Sequence, residues 1–169
     1  MSKPLIIDSA EFAREQQDLR GEVGLRDLPR VLDCVRNPDG VVHFRLVGGM
    51  DRLARPVLRL SVSGSVELLC QRCLKSLDWV IDGESLLTLF DSEAVIDAAA
   101  EQDEELEGIL ARRDQSVVDL IEDEILLALP LAPKHDVCAS EQGAGLAAGK
   151  PNPFAVLQQL KATRQADPD

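Results

Sequence analysis

The chain has 169 residues, 45% of them hydrophobic, which suits one folded domain with its own core and excludes a wholly disordered polymer. Four Phe, one Trp and no Tyr leave few rings for stacking nucleic-acid bases, and no apolar run approaches the roughly 20 residues of a membrane span. The net charge of −12 is segregated: Asp91 to Glu124 holds 13 acidic and 2 basic residues, whereas residues 1–90 hold 13 and 12, and residues 125–169 four of each.

Such a segment repels polyanionic RNA and attracts basic polypeptide; the plainer reading is a solvated stretch that keeps the chain soluble. The start, MSKPLIIDSAEF, has too short an apolar stretch for a secretory signal, so a cytoplasmic location is expected. Four cysteines in that compartment are reduced thiols or metal ligands, not disulfides.

DSAEFAREQQDLRG reads as a first helix, capped by Asp8 or Ser9 and stopped at Gly21. LRDLPRVLDCV reads as a second, short helix, with Cys34 packed beside its apolar stripe. NPDG is a turn signal. VVHFRLV then alternates as a strand, with Val42, Phe44 and Leu46 on one face and His43 and Arg45 on the other, which makes His43 a surface residue.

The longest alternation follows. Leu58, Leu60, Val62, Val66, Leu68 and Cys70 face one way; Arg59, Ser61, Ser63, Ser65 and Glu67 face the other. Gly64 marks either a bulge or a tight turn between two strands. Leu77, Trp79 and Ile81 alternate with Asp78 and Asp82, and SLLTLF continues with strand-like composition, giving an antiparallel sheet of four or five strands.

Residues 91–113 contain the acidic run without a clear apolar stripe, which predicts a mobile loop or a fragile helix. QSVVDLIEDEILLALP is a helix capped by Ser116 and ended by Pro130. Asp119, Glu122 and Asp123 share one side of it, opposite Val117, Leu120, Ile121, Ile125 and Ala128. Glu124 falls inside the apolar stripe; it needs a cation such as Arg72 or a sheet arginine, several donors, protonation, or a place at a rim.

Small residues over 139–151 form a flexible linker, and NPFAVLQQLKATR closes the chain as a helix over 152–165 with Phe154, Leu157 and Leu160 on its apolar side. So short a helix must dock, on its own domain or in a partner's groove. The expected architecture is α+β: one domain over 1–138 with an antiparallel β-sheet, flanking helices and the acidic insertion, then the linker and the docking helix.

CQRC at Cys70–Cys73 lies between two strands. A redox pair of this spacing would open a helix, whose dipole lowers the thiol pKa, and here strand sequence follows. Two readings remain: thiols packed at a turn, or half of a zinc site completed by His135 and Cys138 in PLAPKHDVC. Catalytic chemistry finds no footing. There are two histidines, neither in a nucleophile motif, and VGGM lacks the lysine and following helix of a phosphate loop.

ELLCQRCLKSL, DLIEDEILLALPLAPKHDVC and KPNPFAVLQQLK, taken together and in this order, resemble the YceD-like proteins, the large ribosomal RNA subunit accumulation family of bacteria and plastids. The resemblance spans roughly residues 55–165. It implies a role in synthesis, processing or stability of large-subunit ribosomal RNA, and brings no catalytic residues with it. Many relatives carry further cysteines near the C-terminus, where this chain keeps Cys138.

Together these readings predict a non-enzymatic acidic adaptor without a cofactor and without a membrane partner. It would engage a basic ribosomal protein or RNA-processing factor through Asp119, Glu122, Asp123, Glu124, Phe154 and Leu157, and would touch ribosomal RNA indirectly. The alternative is direct RNA binding by an arginine patch on the sheet, made of Arg45, Arg52, Arg55, Arg59 and Arg72 with Lys75 beside it. The alternative cofactor is zinc on Cys70, Cys73, His135 and Cys138.

Overall fold

Alternating side chains build the centre of the protein in the computed structural model, which describes residues 5–138. In chain order the elements are β1 (Ile6–Ile7), α1 (Ser9–Arg14), β2 (Asp18–Gly24), a 3-10 turn (Leu25–Asp27), α2 (Pro29–Leu32), β3 (Val41–Met50), β4 (Pro56–Leu69) and β5 (Ser76–Phe90). They are followed by α3 (Glu93–Ala100), β6 (Glu107–Leu110), β7 (Gln115–Ser116) and α4 (Val117–Ala128). The sheet has five strands in the order β2-β3-β4-β5-β6; its first three pairings are antiparallel and β6 joins β5 in parallel. A separate two-stranded ladder pairs β1 with β7. The class is α+β, as the periodicities predict.

One face of the sheet is dry. Val42, Leu46, Leu58, Leu60, Val62, Val66, Leu68 and Ile81 project from it and are buried against Phe12, Ala13, Leu25, Leu28, Val31, Val117, Leu120, Ile121 and Ile125. The opposite face is polar and wet, the usual division of an antiparallel sheet covered by helices on one side. α4 starts as its sequence predicts: the Ser116 hydroxyl accepts from the Asp119 N–H at 3.2 Å.

Several elements differ from the local reading. The first helix stops at Arg14 under an Asp8 cap, and Asp18–Gly24 pairs with β3 instead of continuing the helix. Gln16, with a φ of 53°, makes the break. Ladder bonds over seven residues outweigh the modest helical preference of this polar stretch. Gly64 sits inside the unbroken 14-residue β4, in constant register with Val42 and Ile81 of its neighbours, so it is neither bulge nor turn. The acidic stretch supplies both α3 and β6; Ile96 and Phe90 close over Gly108, where a Cβ would fall 2.9 Å from Ile96. Cys34 is exposed rather than packed, because α2 ends at Leu32 before its stripe reaches that thiol. The linker 139–151 and the helix over 152–165, with Phe154 and Leu157, lie outside the described residues.

Candidate functional site

Two surfaces concentrate the chemistry. The first is the turn between β4 and β5. Cys70 N–H donates to Lys75 O and Leu74 N–H to Cys70 O, both at 2.9 Å, so the chain reverses tightly around the two cysteines. Leu74 takes a φ of 57°, a conformation that a branched residue adopts only when its surroundings hold it there. The loop after α4 meets this turn: Gln71 N–H donates to Pro133 O at 2.8 Å.

That bond brings His135 to the thiols. Its Nδ1 lies 3.4 Å from Cys73 Sγ, and its Nε2 lies 3.0 Å from the carbonyl oxygen of Ser76. A carbonyl only accepts, so Nε2 carries the proton and Nδ1 presents its lone pair to the sulfur. The ligand atoms of Cys70, Cys73 and His135 lie within 4.8 Å of one another. Cys70 is 0% and Cys138 2% exposed. Burial opposes ionisation of the Cys70 thiol, yet hydrogen bonds from the backbone N–H groups of Cys73, His135 and Arg72 outweigh it and lower the pKa to about 5.

The second surface is electrostatic. Over the body of the protein several carboxylates meet arginine. Asp18 accepts from Arg45 at 2.7 Å and Arg20 at 2.8 Å, Glu84 from Arg59 at 2.8 Å, and Asp51 from Arg55 at 2.6 Å. Arg55 also lies over the Phe90 ring, 5.7 Å from its centroid. By contrast Glu93, Asp97, Glu101, Asp103, Glu104, Glu105 and Glu107 are all exposed. Among the described residues none of them takes part in an ion pair. The anionic excess is thus open to solvent along α3 and the loop to β6.

The α4 carboxylates do not form one acidic face. Glu122 is buried, with a side chain 4% exposed, and accepts from both the backbone N–H and Nε of Arg30, at 2.7 and 2.8 Å. Asp123 meets Arg30 Nη1 at 2.7 Å and remains largely exposed; Asp119 is exposed and gives its carbonyl oxygen to Arg30 Nη2. Glu124 is buried over the sheet, where it takes a short hydrogen bond from the Ser85 hydroxyl instead of finding Arg72 or a sheet arginine. Gly83 makes its room, since a Cβ there would fall 3.1 Å from Glu124 Cγ. Arg30 is the residue that local reading of the sequence misses; its signal, a cation next to a helix-starting proline, does not reveal a partner 92 residues away.

The five arginines do not all gather into one patch: Arg52, Arg55 and Arg59 line one pocket near the β3–β4 turn, and Arg72 lies far from it. Arg45 and Arg59 lie on the wet face of the sheet, each against a carboxylate. Arg52 and Arg55 occupy the β3–β4 turn, whereas Arg72 lies in the β4–β5 turn. The 14 residues of β4 separate those turns by about 45 Å at the rise of an extended strand.

These features define a helix-covered α+β sheet protein with a candidate metal corner and one uncompensated acidic surface. The chain belongs to the YceD family, large ribosomal RNA subunit accumulation proteins, whose family model matches residues 58–161. It is 31% identical over 169 residues to the large ribosomal RNA subunit accumulation protein YceD of Haemophilus influenzae, covering 94% of this chain and 95% of that one. No solved structure matches it. Among the described residues no helix is long and apolar enough to cross a membrane.

Proposed function

We propose that this protein supports the accumulation of large-subunit ribosomal RNA as a non-enzymatic adaptor, in which the acidic segment engages a basic ribosomal protein or RNA-processing factor. One observation carries the reading: among the described residues the exposed carboxylates of α3 and the following loop have no cationic partners, whereas Arg45 and Arg59 of the sheet are matched to carboxylates. An unneutralised anionic surface steers cationic polypeptides toward it and adds a repulsive term against phosphate backbones. Direct RNA contact through Arg45, Arg52, Arg55, Arg59 and Arg72 is less favoured. At Arg45, Arg55 and Arg59 phosphate would have to displace carboxylates already within hydrogen-bond distance, and Arg72 lies at the other end of β4 from Arg52 and Arg55.

Crosslinking in cells with wild-type protein and with a variant carrying Glu101→Gln, Asp103→Asn, Glu104→Gln and Glu105→Gln tests this. The expected result is that the wild type captures a basic protein and the amide variant, folded by circular dichroism, captures far less. Equal capture by both, or capture of ribosomal RNA alone, would remove the adaptor reading.

A further inference from the structure

Resting on the adaptor reading for a basic occupant, we propose that the groove between α4 and the β5–β6 side of the sheet seats an amphipathic, Lys- or Arg-rich helix of the partner protein. Apolar side chains hold the helix along its length, and Glu124 takes one of its cations. This surface is separate from α3 and adds to it.

The groove exists because the cover on the dry face of the sheet runs out. Leu58 and Leu87 are register partners on one face; Leu58 is fully buried, whereas Leu87 is only half-buried. Ile109 of β6 is half-buried as well. With Leu126 and Leu127 of α4 these residues border a trough of about 410 Å³. Leu127 is 81% exposed, although Leu120, Ile121 and Ile125 of the same helix are buried. A single exposed leucine is ordinary, but one that walls a continuous apolar trough marks a binding surface.

The shape of the wall suits a helix. Leu120, Asp123, Glu124 and Leu127 line the trough at i, i+3, i+4 and i+7, one stripe of α4 about 10.5 Å long. Such a stripe accepts the ridge of a second helix, whose anchors recur at the same intervals.

Charge selects the occupant. Among the described residues, every charged side chain lining the trough is acidic: Glu107, Asp123 and Glu124. Asp123 meets Arg30, but Glu107 and Glu124 take part in no ion pair there. Glu124 is 8% exposed and has the Ser85 hydroxyl as its hydrogen-bond donor. A carboxylate has more acceptor positions than one hydroxyl fills, so an entering ammonium or guanidinium finds a withdrawn anion with capacity to spare. Residues 139–169 of this chain bring no excess cation, with Glu141, Asp167 and Asp169 against Lys150, Lys161 and Arg164. A second copy would bring a net charge of −12, and RNA phosphates are repelled by the same carboxylates. A leucine ridge flanked by cations on another protein satisfies both the wall and the acids.

The test places a photo-crosslinking amino acid at Leu127 of the full-length protein in cells and sequences the peptide it joins. The same label at Val95 of α3, half exposed, is the reference. The Leu127 label should join a Lys- or Arg-rich helix of another protein. Crosslinks to residues 139–169 of the same chain, to a second copy, to RNA or to nothing would overturn the groove. If the Val95 label then still captures a basic protein, the adaptor reading survives alone; if neither label does, both fall. In vitro, a synthetic helix of about 18 residues, with leucines on one side and lysines on the other, should shift the backbone amide resonances of Leu87, Ile109 and Leu127. A scrambled peptide of equal charge should bind at least about tenfold more weakly. Leu127→Ser and Glu124→Gln, the second keeping an acceptor for Ser85, should each weaken the helix by about five- to tenfold. Equal binding of the scrambled peptide, or full binding by both variants, would show that charge alone holds the peptide and would overturn the groove.

Discussion

Arg30 grips Glu122 at two points, its backbone N–H donating to Oε1 at 2.7 Å and its Nε–H to Oε2 at 2.8 Å. The pair ties the start of α2 to the middle of α4, and its carboxylate lies among the core residues of that helix. Arg30→Ala strands the buried carboxylate with one donor fewer. Because the guanidinium is half exposed and water can partly replace it, the expected loss is about 1–2 kcal/mol in urea unfolding. Arg30→Met with Glu122→Leu removes both charges together and should recover more than half of that loss, since an apolar pair leaves nothing buried and unpaired. A single variant as stable as wild type would show that the pair contributes nothing.

Gly48 and Gly49 are neighbours on β3 with opposite tolerances. A Cβ at Gly48 would lie 2.8 Å from Phe12 C and Ala13 Cα, which are backbone atoms of α1 and cannot swing aside. At Gly49 the nearest atom is Val57 Cγ2 at 3.7 Å, an ordinary contact. Gly48→Ala should therefore cost about 1–3 kcal/mol, and Gly49→Ala less than about 0.5 kcal/mol. Thermal unfolding of the two variants side by side checks the contrast, and equal melting temperatures would contradict the packing of α1 on β3.

Asp18 accepts from Arg45 and Arg20, and these hydrogen bonds hold its carboxyl well below the usual carboxylate range. A folded pKa below the unfolded value means that the contribution is complete above about pH 4 and disappears as the pH falls through the lowered pKa. In a carbon-detected pH titration the Asp18 carboxylate should stay ionised through the ordinary carboxylate range. Arg45→Leu should move the Asp18 titration up toward that range; a midpoint unchanged by that variant would show that Arg45 is not the cause.

Binding to purified large-subunit ribosomal RNA, measured against salt, separates the adaptor from a direct RNA binder. Few phosphates should be neutralised, so the log–log slope should be shallower than about −3 at any affinity observed. A complex with a basic protein partner should weaken as salt rises, and the amide variant should lose most of that dependence. A steep RNA slope that is lost in Arg45→Gln or Arg59→Gln would reverse the assignment.

How far local pattern reaches is clear from particular residues. Val42, Phe44 and Leu46, then Leu58, Leu60 and Val62, face the core as their alternation requires, because side chains on an extended chain point to opposite sides whatever the strand pairs with. Ser116 caps α4 for an equally local reason: its hydroxyl needs only the N–H three residues ahead. β2 was hidden, since Asp18–Gly24 has weak alternation and gains its bonds from β3, some twenty-five residues away in sequence. β6 was hidden too; its partner lies across a helical crossover, and no hairpin turn announces it.

Sequence by itself determined the α+β class, the sheet's buried face, the concentration of charge between Asp91 and Glu124, and the two short segments that carry the thiols and the histidine. Tertiary structure decided which charges cancel. The fold buries Glu122 under Arg30, covers Glu124 with Ser85, matches Arg45 to Asp18, and sends Arg72 to the far end of β4 from Arg52. It also carried His135 to Cys73 across 62 residues. The physical reason is range: periodicity and capping act within one or two turns of chain, whereas ion pairing and ligand geometry depend on strand register and on where distant loops are brought to rest.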